Sequence, residues 1–536
     1  MSFDFQKQRY ASRRTVAFAK NGMCATSGPL PAQAGLDILR KGGTAADAAV
    51  AMVAVLAVTE PTSNGLGSDA FALVWSKGRL YGLNASGCAP ALLSLPLLRS
   101  RGYERMPLRG WETVMVPGAP AAWAELSSRF GRLPLAELVE PAARYAEEGY
   151  PLAPNVARLW RSSFDNFSKS LRGDEYQGWF AAFAPDGHAP GAGELWRCPE
   201  LAASLREIGK TEAESFYRGE LAERIVSFAK KTGGLLRRED LASYRTEWVE
   251  PLSVNYRGYD VFELPPNGHG ITVLMALNIL KAFDLGAQRE RNRAYHLMIE
   301  ALKLAFTDAR TYVADPRAMK ASVSGLLSES YAAKRRALIG AEAIDPRPGD
   351  PFCGGTVYLC AADGEGNMVS YIQSNYLGFG SGVVVPGTGV SLQNRAANFS
   401  MDPRSDNVVA PGKKSYHTII PGFLMKDGKP IGPFGVMGGF MQPQGHLQLL
   451  TNEIDFRMNP QEALDAPRFQ WVGGRKIQLE KAVPVAVVRA LEARGHEIEV
   501  VEDNGDMGRG EVIWRLENGV LCGASEPRCD GTVACW

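Results

Sequence analysis

Hydrophobic and polar positions follow two different periods along this chain, and the period changes near residue 345. Ahead of that point most segments read as helices. Thr44 stands as an N-cap before an Ala-rich run, and the eleven apolar residues 48–58 predict a tightly packed helix. Glu60-Pro61-Thr62-Ser63-Asn64-Gly65 is dense in turn formers and ends it. Residues 71–75 read as a buried strand, with Lys77-Gly78 as its turn. From about 117 to 310 the pattern is mostly helical, and 133–148 and 292–310 space apolar residues three and four apart. Pro265-Pro266-Asn267-Gly268-His269-Gly270 interrupts this tract as a loop.

Asp345-Pro346-Arg347-Pro348-Gly349-Asp350-Pro351 predicts an exposed, weakly structured linker. The pattern beyond it turns to strands. Residues 356–362 and 368–373 read as two strands joined by the turn Asp363-Gly364-Glu365-Gly366-Asn367. The tail mixes strands with helices at 461–465 and 483–494. Neither internal repeats nor low-complexity segments occur.

Composition narrows the class. The chain has 536 residues, too many for one ordinary core, with 45% hydrophobic and 22% charged residues. That profile belongs to a globular protein and excludes disordered, collagenous and coiled-coil classes. A net charge of +1 gives no general attraction to nucleic acid or to an anionic membrane, so a small molecule or another protein is the expected partner. The 48–58 run falls short of the about 20 apolar residues of a membrane span. The first ten residues carry no apolar stretch of a secretory signal, so a cytoplasmic location is expected. Eight cysteines lie without C-x-x-C or zinc-ligand spacing, which predicts reduced thiols and no metal.

Three glycine-rich or histidine-based signals carry little chemistry. Gly65-Leu66-Gly67-Ser68-Asp69-Ala70 has the letters of a dinucleotide fingerprint, but it precedes a strand where the fingerprint follows one. It reads as a structural turn, and Gly378-Phe379-Gly380-Ser381-Gly382 likewise. The six histidines show no metal or nucleophile-elbow spacing and read as structural. Two other places are richer. A strand opening with Thr356 directly after Gly354-Gly355 and a linker is a candidate processing site. Breaking the Gly355–Thr356 bond would give Thr356 both a hydroxyl and an α-amine, whose pKa of about 7.7–8.0 suits a general base. The alternative reading is a plain strand after a loop. Gly438-Gly439 offers backbone N–H groups for an oxyanion hole, or merely a turn.

Taken in order, these stretches resemble the γ-glutamyltransferase (γ-glutamyltranspeptidase) family of N-terminal nucleophile hydrolases. The resemblance runs from about residue 20 to the C-terminus. It includes Gly42-Gly43-Thr44-Ala45-Ala46-Asp47-Ala48, Val116-Pro117-Gly118, Tyr256-Arg257-Gly258-Tyr259, the Thr356 strand pair, Phe379-Gly380-Ser381-Gly382, Gly438-Gly439, Ala466-Pro467-Arg468 and Gly523-Ala524-Ser525. It implies an α+β fold, a four-layer αββα sandwich, made as one precursor. The precursor cuts itself before Thr356 into a mostly helical piece, 1–355, and a piece, 356–536, that stay together as a heterodimer. Thr356 then acts as the nucleophile on a small amide, with Gly438 and Gly439 holding the oxyanion and no cofactor required. Ser374, Asn375, Ser86, Arg395 and Asn398 are the implied substrate-binding positions.

Departures from the family pattern redirect the substrate. Better-known members carry an arginine in a stretch like D-F-R-E-x-A-P, where this chain has Asn84-Ala85-Ser86-Gly87-Cys88-Ala89-Pro90. The motif N-N-x-M-D-D-F-S appears as Gln393-Asn394-Arg395-Ala396-Ala397-Asn398-Phe399-Ser400. Asn398 thus replaces the aspartate that binds an α-ammonium, and Arg395 adds a cation. Lys413-Lys414 takes the place of a Ser-Ser pair. An arginine repels an ammonium and binds a carboxylate in bidentate fashion. The expected acyl group therefore bears a carboxylate without an α-ammonium, as in the branch with oxamate amidohydrolase and glutaryl-type cephalosporin acylase. Two other readings stay open: a γ-glutamyltranspeptidase or glutathione hydrolase with Arg395 in a structural ion pair, and an uncleaved inactive paralogue with a binding role. The second takes its motive from Val357, where family members often have a second threonine.

Overall fold

The computed structural model describes residues 14–346, 355–503 and 505–536. Two seven-stranded antiparallel sheets form its centre. The first runs, in spatial order, Thr532–Cys535, Gly22–Thr26, Gly355–Asp363, Met368–Tyr376, Asp69–Ser76, Arg79–Ala85 and Glu247–Val249. The second runs Ala17–Ala19, Leu521–Ser525, Arg509–Arg515, Lys429–Met437, Gly422–Lys426, Tyr259–Glu263 and Leu252–Tyr256. Each sheet mixes strands from before and after residue 355.

Side-chain alternation along Gly355–Asp363 shows how the layers meet, because successive strand residues point to opposite faces. Val357, Leu359 and Ala361 join an apolar cluster built on the Ala45–Thr59 helix and its helical neighbours. Tyr358, Cys360 and Ala362 face the other way, against Phe423, Met437 and Ile513 of the second sheet. The far side of that sheet, with Val261, Phe434 and Val512, is covered by the helices Gly270–Leu280, Asn292–Tyr312 and Gln442–Ile454.

The predicted helix after Thr44 is the hub of the first cluster. All fifteen residues of Ala45–Thr59 are buried, and alanine on most faces lets neighbours approach closely. Its start is a capping box: the Asp47 amide donates to Thr44 Oγ1 at 3.2 Å and the Thr44 amide donates to Asp47 Oδ2 at 2.8 Å. Other predicted elements form with small shifts at their ends, at Leu135–Glu148, Asn292–Tyr312, Met368–Tyr376, Pro460–Asp465 and Val485–Ala493.

The mostly helical tract 117–310 also holds strands: Glu247–Val249 of the first sheet, the short pair Tyr150–Pro151 and Leu195–Trp196, and a hairpin. Leu252–Tyr256 and Tyr259–Glu263 form that hairpin. Arg257 and Gly258 have φ of 52° and 89°, the paired positive angles of a two-residue turn whose twist matches its strands. The strands are only five residues each, so the surrounding helical periodicity conceals them.

Of the predicted linker, residues 347–351 lie outside the described residues, but the chain leading into it is held firmly. Lys303 Nζ donates to Glu300 Oε1 at 2.8 Å and to the Ile344 carbonyl at 3.0 Å, and the Ile344 amide donates to Glu300 Oε2 at 3.2 Å. His296 Nε2 lies 3.0 Å from the Gly340 carbonyl, which can only accept, so this nitrogen carries a proton. His296 Nδ1 then accepts from His496 Nε2 at 2.9 Å. Among the described residues no helix is long and apolar enough to cross a membrane.

Replacing Thr44 by Ala removes the N-cap acceptor of the central helix and a bond from Thr44 Oγ1 to the Phe130 carbonyl. We expect a loss of about 1–2 kcal/mol in unfolding free energy, read from urea denaturation followed by circular dichroism.

Candidate active site

The Gly355–Asp363 strand and its partner pair regularly from Val357 onward, but the ladder breaks at the strand's start. Gly355 is opposite Tyr376 while Val357 is opposite Gln373, so Thr356 faces two residues, Ser374 and Asn375. Such a bulge leaves the local backbone outside the regular ladder and re-aims side chains. Tyr376 continues the distortion with φ of 77°. Thr356 is buried, its hydroxyl donates to Ser374 Oγ at 3.2 Å, and Gln442 Nε2 approaches it as a donor at 3.4 Å.

Gln442 opens a helix directly after Gly438 and Gly439, which have φ of 134° and 58°. Both angles lie where only glycine is comfortable. They reverse the chain between the Lys429–Met437 strand and that helix, which brings the glycine pair to the end of the sheet where Thr356 sits.

A second set of residues converges from three other segments. Asp69 begins the Asp69–Ser76 strand, Arg395 begins a short 3-10 turn, and His417 lies in the loop before the Gly422–Lys426 strand. All three side chains are fully buried. Asp69 Oδ2 is 3.0 Å from His417 Nε2 and 3.5 Å from Arg395 Nε, and Asp69 Oδ1 accepts from the Gly87 amide at 3.2 Å. Arg395 Nη1 donates to Thr418 Oγ1 at 2.8 Å, and the guanidinium carbon lies 4.8 Å from the Tyr376 ring centroid. Burial pushes the Asp69 carboxyl up to about 6, while Arg395 pulls it back. Burial lowers Arg395 to about 10 against the pull of Asp69. It also holds His417 well below its ordinary value, so this imidazole is neutral near pH 7.

The turn read from Gly65 to Ala70 has a specific task. Gly67 accepts from the Gln393 amide at 3.0 Å, and Ser68 Oγ donates to Asn375 Oδ1 at 2.7 Å. It therefore seats the segment carrying Arg395 against the bulge beside Thr356. Asn375 is tied further by its amide to the Ser63 carbonyl and by its own carbonyl to the Asn394 amide.

The expected substrate positions are brought together unequally. Ser374, Asn375 and Arg395 share the neighbourhood of the bulge and Tyr376. Asn398 ends the turn that Arg395 begins, with its Nδ2 buried and unpartnered. Ser86 lies one residue from the Gly87 amide that holds Asp69, but its hydroxyl donates to Asn84 Oδ1 at 2.7 Å and accepts from Asn267 Nδ2 at 3.3 Å. It is part of an amide network and does not stand in for a cation. Lys413 donates to the carbonyls of Asp406 and Val408, and Lys414 pairs with Glu247 at 2.8 Å. Arg395 is faced by Asp69, the buried ion pair that one of the open sequence readings allowed for.

Asp69, His417 and Gln442 were not legible as site residues. Asp69 did carry a signal: a carboxylate at the entrance to an otherwise apolar strand needs a buried partner.

Known proteins match this chain over nearly its whole length. The family model described as Gamma-glutamyltranspeptidase matches residues 31–536. A glutathione hydrolase-like YwrD proenzyme of Bacillus subtilis is 37% identical over 519 residues, spanning 94% of this chain and 96% of that protein. An oxamate amidohydrolase proenzyme of Klebsiella pneumoniae is 34% identical, spanning 96% of this chain and 98% of its own. The crystal structure of a cephalosporin acylase from Bacillus halodurans superposes with a TM-score of 0.97 at 57% identity, covering 100% of this chain and 99% of that one.

At Gly67, an added Cβ would lie 2.2 Å from the Ser391 carbonyl oxygen and 2.9 Å from Leu392 Cα. Gly67→Ala must push the Ser391–Arg395 segment away from the bulge. We expect a loss of about 1–3 kcal/mol in stability and a larger proportional loss of activity, measured by thermal melting beside a steady-state assay.

Proposed function

The chain belongs to the γ-glutamyltranspeptidase family of N-terminal nucleophile hydrolases, and from that premise we propose that it is a self-processing amidohydrolase acting on amides whose acyl group carries a carboxylate. The ordered motifs expected this family. The three apolar clusters, one between the sheets and one outside each, support the αββα layering.

Processing begins at the bulge. The Thr356 hydroxyl attacks the Gly355 carbonyl, the peptide nitrogen of Thr356 leaves as an amine, and an ester joins Gly355 to Thr356 Oγ1. Water then hydrolyses the ester, leaving the pieces 1–355 and 356–536 as a heterodimer. In turnover the freed amine takes the hydroxyl proton, Thr356 Oγ1 attacks the substrate amide carbon, and the amine product departs with a proton. Backbone amides at Gly438 and Gly439 stabilise the oxyanion in both stages. Water, or an acceptor amine, releases the acyl group. Val357 does not weaken this reading. It lies one residue further along the strand, in the helix-side cluster, where a second hydroxyl would face away from Thr356.

One observation carries the substrate class. Between residues 374 and 400, the buried side-chain polar atoms with neither a hydrogen-bond nor an ion-pair partner are Asn375 Nδ2, Gln393 Nε2, Arg395 Nη2 and Asn398 Nδ2. All are donors. A buried donor without a partner costs roughly 1–3 kcal/mol, so this stretch favours a ligand rich in acceptors. A carboxylate supplies them and an ammonium does not. The γ-glutamyl reading has one observation in its favour, the Asp69 carboxylate, which is the right charge for an α-ammonium. Both Asp69 oxygens, however, are already engaged by Gly87, His417 and Arg395.

Two measurements test the proposal. Purified protein should resolve under denaturing conditions into two chains, the smaller beginning Thr356-Val357-Tyr358, and Thr356→Ala should stay as one chain by intact mass. On the processed enzyme, glutaryl-anilide should turn over faster than γ-glutamyl-anilide. Arg395→Gln should lower kcat/KM for the glutaryl compound by about 30-fold or more, the low end of the 2–5 kcal/mol expected on removing a buried charged partner. Equal or faster γ-glutamyl turnover would favour the other substrate class.

A further inference from the structure

Arg395 and Asp69 form a buried pair in which the cation has a free donor and the anion has none. Arg395 Nη2 is unpartnered, while Asp69 divides its oxygens among the Gly87 amide, His417 and Arg395. A substrate carboxylate seated on Nη2 would bring its negative charge within roughly 6 Å of Asp69, on the same guanidinium plane. All three side chains are fully buried, so solvent screens the two charges little. Two carboxylates cannot share one buried guanidinium without mutual destabilisation. The pair can resolve this by neutralising Asp69.

We infer that the enzyme takes up a proton on Asp69 when it binds the carboxylate of its acyl group, so that anion and proton enter the site together. This rests on the carboxylate reading above and adds a regulation of that site. The proton comes from solvent, bonds to an Asp69 oxygen, and leaves again when the acyl group is released. With the substrate bound, the charge of the site returns to its resting value: Arg395 is positive, the substrate carboxylate is negative and Asp69 is neutral.

The groups facing Asp69 from the surrounding elements leave it as the one that responds. Arg395 lies on the 3-10 turn, and His417 and Lys414 lie on the loop preceding Gly422–Lys426. Tyr217 and Tyr244 approach from the helical layer, and burial raises both phenols further above their ordinary values. His417 is held neutral by burial, and Lys414 is paired with Glu247. Asp69, raised to about 6 in the empty site, lies close enough to neutral pH for a nearby anion to carry it through. The sign follows from that direction. A bound anion raises Asp69 further, so binding takes up protons between the two values and weakens as pH rises through them.

The test uses valerate, which has one carboxylate and no second group to reach the Thr356 amine, on the processed enzyme. Isothermal titration calorimetry at pH 7 in buffers of different ionisation enthalpy should give uptake of about 0.5–1 proton per valerate. The dissociation constant should weaken by up to about tenfold per pH unit between pH 6 and 8. Valeramide should show neither effect. Asp69→Asn should flatten the pH profile and abolish uptake, whereas linkage to the Thr356 amine would survive that change. Wild-type valerate binding that is lost in Arg395→Gln yet takes up no proton would overturn the inference while leaving the carboxylate reading intact. Valerate that fails to bind, or binds Arg395→Gln equally well, would overturn both.

Discussion

One buried carboxylate organises the site. Asp69 enters the protein interior at the start of a strand, where an isolated charge is costly, and one nearby and two distant groups make its burial tolerable. The Gly87 amide fixes the loop that carries Ser86. His417 fixes the loop before the Gly422–Lys426 strand, and Arg395 fixes the turn that follows the bulge. Each partner is held in return, since none can move without leaving a charge or a donor unsatisfied. The positions of Ser86, Arg395 and His417 are therefore set together by the demands of one buried carboxylate.

Thr356 is placed by a different device. It lies at the start of an interior strand of a seven-stranded sheet, paired on one side only, because the Gly22–Thr26 strand joins from Leu359 onward. The bulge relieves that regularity at one point, opposite Ser374 and Asn375. A rigid frame with one local irregularity is an economical way to hold a reactive bond in a non-standard setting. The glycine turn at 438–439 is similarly local, being confined by a strand on one side and a helix on the other.

Much of this was legible in the sequence, for reasons that are themselves physical. The Thr44 cap and the alanine-rich run behind it act locally, so a helix there could be read directly. The strand start at Thr356 was legible because a threonine-led strand after Gly-Gly and a proline-rich stretch is an unusual local arrangement. The Asp69–Arg395–His417 group was not, because Asp69 is more than three hundred residues from the other two and only the fold makes them neighbours. Gly65 to Ala70 was read as a turn, and it is one. Its further use, as the seat for Gln393 and Asn375, depends on a partner segment that no local pattern reveals. The hairpin at 252–263 was missed for the opposite reason: its turn signal was present, but the helical context outweighed two short strands.

The interleaving of strands from the two sides of residue 355 has a consequence for the life history of the molecule. As one chain, the protein finds its fold by an intramolecular search. Once cut, the same fold would need two separate chains to meet, and each alone would expose open edges in both sheets. The cut therefore acts as a ratchet. The processed protein would keep its structure through a high barrier to leaving it, and unfolding once would mean losing the way back.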